Sequence, residues 1–230
     1  FCVGGRGGQS SLYRVSYKGS ASTELSKLDT TSEHAKARKT RHMLEGFHGH
    51  PDPKALDAAW PYLSSDDYHL RYAARIAIEW QDPQTWAKKA YSEKDDLGAI
   101  HALLGLARSD LDGSLKPSIK RLLKVDFENL DKTGKLALIR TYAVVMSRGG
   151  KPDADQIKAI GDQLDPHYPA KDDNLNEELC RVLCYLQHPS VVKKTVALMQ
   201  TTKAKVPDFD AEVMKRNKGY GGKILSSMES

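Results

Sequence analysis

The stretch Asp66-Asp67-Tyr68-His69-Leu70-Arg71-Tyr72-Ala73-Ala74-Arg75-Ile76-Ala77-Ile78-Glu79-Trp80 decides the reading of this chain. Two aspartates open it. A carboxylate suits a helix N-terminus, because it accepts from free N–H groups and complements the helix dipole. Leu70, Ala73, Ala74, Ala77 and Ile78 then recur at the i, i+3, i+4 spacing of one helical face. That face is made of small residues, so a second helix can pack close against it. Arg71, Arg75 and Glu79 form a polar row at i, i+4, i+8 and are expected to ion-pair with neighbouring helices. Gln81-Asp82-Pro83 stops the helix.

The same design returns downstream. A shift of 106 residues lays this helix over Asp173 to Pro189, with Ala74 on Cys180, Arg75 on Arg181, Ile78 on Cys184 and Trp80 on Leu186. A shift of 29 carries Asp67 onto Asp96 and leads into Ile100, Leu103, Leu104 and Ala107. A helix that recurs with its cap and its stop is the mark of a stacked repeat.

Outward from there the chain reads as helix pairs. Helices are expected over 33–47, 53–64, 67–81, 84–92, 96–109, 115–124, 132–148, 153–164, 173–187, 190–201 and 209–228. Leu56, Ala59, Trp60 and Leu63 form the apolar stripe of the second. Leu136, Ile139, Tyr142, Ala143 and Met146 form that of the helix over 132–148. The second helices begin near Asp67, Asp96, Asp131 and Asp173, spaced by 29, 35 and 42, so the repeats are irregular. The expected fold is all-α, a HEAT-like α-solenoid of about four to five helix pairs. An irregular helical bundle is the alternative. Residues 1–20 differ: Gly4-Gly5-Arg6-Gly7-Gly8 is a glycine-rich loop, and Leu12 to Tyr17 alternates like a strand. A lone strand needs a sheet from elsewhere. The domain reading is therefore 1–20 loop and strand, 21–32 linker, and 33–230 helical repeats.

Composition excludes several classes of function. Hydrophobic residues are 40% and charged residues 28%, ordinary for a globular chain. No apolar run approaches the roughly 20 residues that span a bilayer. The net charge of +5 is spread among acids and bases, so no basic block announces a nucleic-acid groove. Lys36 to His42 is the densest basic cluster and reads as a solvated helix face. Three cysteines, Cys2, Cys180 and Cys184, make no disulfide scaffold.

Few residues suggest chemistry. The glycine loop lacks the Gly-Lys-Ser/Thr and the following helix of a phosphate cradle. Cys180, Cys184 and His188 share a helical stripe, but there is no Cys-x-x-Cys and no fourth zinc ligand. On the 106 shift the two cysteines fall on core positions, so they read as buried small hydrophobes. His42, His48 and His50 with Asp52 cluster near a turn and could hold a metal, though solvated histidines at a helix end are the plainer reading. His101 reads as a core or interface histidine. No Gly-x-Ser-x-Gly, His-Glu-x-x-His or paired-carboxylate motif occurs. The residues that could meet a partner are Arg71, Arg75, Tyr72 and Trp60, because arginines and aromatics anchor interfaces. No catalytic, cofactor-binding or metal residue is assigned.

Together, Gly4-Gly5-Arg6-Gly7, Leu12-Tyr13-Arg14-Val15, Phe47-His48-Gly49, Ala59-Trp60-Pro61-Tyr62-Leu63 and Arg71 to Ala77 resemble a family of large exported bacterial proteins. Leu164-Asp165-Pro166, Asn176 to Cys180, Tyr185-Leu186-Gln187, Arg216-Asn217 and Tyr220-Gly221-Gly222 extend the resemblance. Those proteins join a sugar-dehydrogenase-like β-propeller, a HEAT-like helical region and a C-terminal c-type cytochrome domain. The resemblance implies that residues 1–17 correspond to a closing propeller strand and the helices to a non-catalytic spacer. It also implies a periplasmic or extracellular location, where Cys2 could pair with a cysteine outside these residues. Partners would be other domains of the same polypeptide or another protein. A freestanding HEAT-type module that binds a protein or nucleic acid through its concave surface is the alternative.

Overall fold

The computed structural model describes residues 2–4, 11–25, 27 and 29–201. They are predominantly helical and group into two compact units, one up to Lys39 and one from Thr40. The expected helix over 209–228 and the residues at 216–222 lie outside the described residues.

In the first unit, β1 (Cys2–Gly4) pairs antiparallel with β2 (Ser11–Tyr13), setting Cys2 opposite Tyr13 and Val3 opposite Leu12. The expected strand is thus shorter than its sequence pattern, and its partner comes from the same chain. Among the described residues the alternation through Val15 and Tyr17 does not continue the pairing, and both side chains are exposed. Ser32 starts α1 (Glu33–Glu45) by accepting from the Ala35 N–H at 3.2 Å.

The second unit is a succession of helices: α2 (Ala55–Ala59), running into a 3-10 turn at Trp60–Tyr62, α3 (Tyr68–Glu79), α4 (Pro83–Ser92), α5 (Asp96–Arg108) and α6 (Leu115–Leu122). There follow α7 (Lys132–Gly149), α8 (Ala154–Leu164), α9 (Asp173–Tyr185) and α10 (Val191–Thr201). Aspartates punctuate the series. The Asp67, Asp82, Asp95, Asp131, Asp153 and Asp172 side chains each accept from backbone N–H groups in the first turn of the following helix. Asp153 closes a full capping box with Gln156.

Packing follows chain order. α3 lies on α5, α5 on α7, and α7 on α9, while α4 packs on α5 and α6 on both α5 and α7. Leu70, Ala73, Ala74, Ala77 and Ile78 are all buried, as their spacing predicts. Close approach is visible at Gly105: a Cβ there would stand 3.4 Å from Glu79 Cγ and 3.5 Å from Arg75 Cγ. Trp86 and Tyr142 are among the largest fully buried side chains. The Tyr142 hydroxyl donates to Gln163 Oε1 at 2.6 Å, and the Gln163 amide donates to the carbonyls of Leu122 and Val125. One glutamine on α8 thus ties together α7 and the end of α6.

The caps also correct the alignment of α9 with α3. Asp67 corresponds to Asp172, a shift of 105 rather than 106. Burial agrees: Leu70, Ala74, Ala77 and Ile78 then match Leu175, Leu179, Val182 and Leu183, all buried. Cys180 and Cys184 fall on Arg75 and Glu79 instead of Ala74 and Ile78. The expectation that they are buried small hydrophobes fails for that reason: Cys180 is half-buried and Cys184 exposed.

Candidate interaction surface

α3 presents its small residues to the core, and so turns Tyr68 and Tyr72 outward one helical turn apart. Their rings stack at 6.3 Å with 28° between planes and are 59% and 49% exposed. The Arg75 guanidinium lies 5.1 Å from the Tyr72 ring centre, a cation–π contact that holds the ring in place. Arg75 is itself buried and pairs with Glu79 on the same helix. Arg108 of α5 reaches the same carboxylate, its Nε 3.0 and 3.1 Å from the two oxygens. The polar row is thus ion-paired at two of its three members. Arg71 is not: it is 5% exposed and donates to the Ser65 carbonyl, while its Nε has no acceptor.

His101 on α5 completes the group. Both its ring nitrogens are buried without a hydrogen-bond partner. Burial first, then the charges of Arg71 and Arg75, push its pKa down to about 4. The imidazole is therefore neutral at physiological pH, and two guanidiniums, those of Arg75 and Arg108, meet the one carboxylate of Glu79. The sequence pattern contained Arg71, Arg75 and Tyr72 but not Arg108, which joins them only because α5 packs on α3. His101 was legible as a core or interface histidine, though not as the neighbour of two arginines.

Trp60 makes different contacts. Its Nε1 donates to Glu93 Oε2 at 2.6 Å, Lys89 Nζ sits 4.3 Å over its ring, and Trp86 meets it edge-on at 6.2 Å. It is buried and locks the end of α4 in place. Arg121 is a further buried cation that the sequence pattern did not single out. It donates to the Glu93 carbonyl at 2.7 Å and to Asp96 at 2.9 Å, securing the turn between α4 and α5.

The remaining candidates do not converge. His42 pairs with Glu45, His48 Nε2 hydrogen-bonds to the Ala73 carbonyl at 2.8 Å, and His50 Nδ1 to the His48 carbonyl. The reading of His48 as solvated is corrected: it is half-buried and ties its turn to α3. His188 Nδ1 meets Ser190 and Asp165, away from the cysteines. Among the described residues no group of three or more His, Cys, Asp or Glu side chains is placed to hold a metal ion. No helix among them is long and apolar enough to cross a membrane.

A cavity of about 180 Å³ opens between α7 and α9, against Met146, Val182 and Tyr185, with Arg140, Glu178 and Arg181 around it. It is small beside the roughly 300–1,000 Å³ of typical small-molecule sites. A groove of about 440 Å³ along α8 and the 186–189 turn is larger, but Lys158 and Asp162 in it pair with each other and His188 is engaged as described.

Comparison with protein-family models, curated proteins and solved structures returned no match to this chain.

Proposed function

We propose that the helical region is a HEAT-like α-solenoid, a non-catalytic scaffold that holds other parts of a larger exported protein in fixed relation. The observation that carries this reading is the ordered packing of α3, α5, α7 and α9, each on the next, with an aspartate cap at the start of each. A repeat array in which each unit touches only its neighbours forms a long surface suited to spacing and docking. The stripe Val192, Val196 and Met199 on α10 is exposed at i, i+4, i+7, the kind of face that a further helix covers in such an array.

The docking surface in this reading is the Tyr68–Tyr72 pair on α3. Stacked tyrosines braced by an arginine combine area with low entropic cost, and the half-exposed Arg108, the second guanidinium on Glu79, favours an acidic partner segment. The resemblance described above supplies the partners: a dehydrogenase-like propeller on one side and a c-type haem domain on the other, in the periplasm or outside the cell.

Reading the encoded polypeptide on both sides of these 230 residues tests the spacer role. A propeller before them and a Cys-x-x-Cys-His after them is the expected result. Flanks with neither would overturn it. In the full polypeptide, a photo-crosslinking residue at position 72 is expected to join a flanking domain, and one at the solvent-facing Lys193 is not. Equal yields at both sites would remove α3 as the docking surface.

A further inference from the structure

α9 carries a pair of thiols that neither the scaffold reading nor the interaction surface uses. Cys180 Sγ and Cys184 Sγ lie 3.9 Å apart. Cys180 Sγ is 3.6 Å from Thr195 Oγ1 on α10, and Thr195 Oγ1 in turn is 2.8 Å from the Tyr168 hydroxyl. Cys184 is exposed, so the pair is open to solvent on one side. In the corrected register these cysteines replace the Arg75–Glu79 ion pair of α3.

A disulfide does not suit this placement. Side chains four apart on a helix have Cβ atoms about 5–6 Å apart, whereas a disulfide needs roughly 3.5–4.5 Å. α9 is helical through both residues, so closing the bond would distort it. The spacing does suit one bridging ion. Metal–sulfur bonds of about 2.3 Å span 3.9 Å at an angle of roughly 115°, close to trigonal. Zinc would need two further strong ligands, and neither His188 nor a carboxylate joins the sulfurs. Two thiolates with only hydroxyl groups beside them favour a soft ion that accepts few ligands.

We propose that Cys180 and Cys184 form a two-thiolate site for a soft, low-coordinate metal ion of the copper(I) class, with the third position left to Thr195 Oγ1 or water. Binding replaces S–H bonds with metal–sulfur bonds, and the protons still held by the two thiols leave to solvent. No electron is transferred.

The test uses the full chain with Cys2→Ser, which leaves these two thiols alone, under anaerobic conditions with copper(I) and a competing chelator. One copper per chain is expected. Adding Cys180→Ser or Cys184→Ser should each lower the affinity at least about tenfold while leaving the far-ultraviolet circular dichroism unchanged. X-ray absorption should find two sulfur neighbours per copper. Zinc, added instead, should bind more weakly. An absence of copper binding, retention of full affinity in Cys184→Ser, a single sulfur neighbour, or tighter binding of zinc would each overturn the proposal. A variant that loses its helical signal is replaced by Cys184→Ala, read in the same way.

Discussion

His101 carries a cost that depends on pH. Its ring sits beside Arg71 and Arg75, and its pKa is pushed down to about 4 from the usual 6.5. Between those values the unfolded chain binds a proton that the folded chain refuses. The stability is therefore complete above about pH 6.5 and falls as the pH drops toward 4, by as much as about 3 kcal/mol. Urea unfolding at pH 7 and pH 4.5 reads this directly. His101→Leu should flatten the difference, and an unchanged difference would show that the ring is protonated freely. A second residue-scale outcome concerns Trp60. Trp60→Phe keeps an aromatic ring but removes the donor to Glu93 together with part of the buried indole, and should cost at least about 1.5–3 kcal/mol because the acceptor is charged. A change within about 0.5 kcal/mol would mean that water replaces the indole N–H without loss.

Helix elements here are set by local signals, and that is why so much of them was legible. The aspartate caps, the i, i+4 apolar stripes and the Pro83 stop act within one or two turns, so the positions of α3 to α9 follow from sequence alone. Asp131→Ala removes the side chain that accepts from the Gly134 N–H at 2.7 Å, and is expected to cost about 0.5–2 kcal/mol in thermal unfolding. Legibility stopped where two aspartates stand in a row. At Asp95-Asp96 and Asp172-Asp173 the first residue is the cap, and choosing the second moves the register by one. On a helix that step rotates every position by about 100°, enough to carry Cys180 and Cys184 from the core stripe to an ion-pair position. The surface group was illegible for a different reason. Arg108 is 29 residues from Glu79, and only the packing of α5 on α3 brings them together. The strand is shorter than expected because alternation through Val15 and Tyr17 signals β propensity but does not extend the pairing, which stops at Tyr13.

At the scale of the molecule, α3, α5, α7 and α9 pack each on the next. If they form the proposed repeat array, stability is a sum of local units and interfaces, and damage at one end should stay there. Gly161 offers a clean lesion. A Cβ at this position would stand 2.6 Å from His188 Cδ2, tighter than packed atoms tolerate, so the ring that seals α8 against the 186–189 turn must move. Gly161→Ala should therefore destabilise the α8–α9 end by about 1–3 kcal/mol, despite alanine's better helix propensity. The most direct test of the repeat account is amide hydrogen exchange, followed helix by helix in the intact chain with and without this substitution. Faster exchange in α8, α9 and α10, with α3 and α5 at their original rates, is the predicted result. An equal rise in every helix would mean a single cooperative core, and would contradict the account.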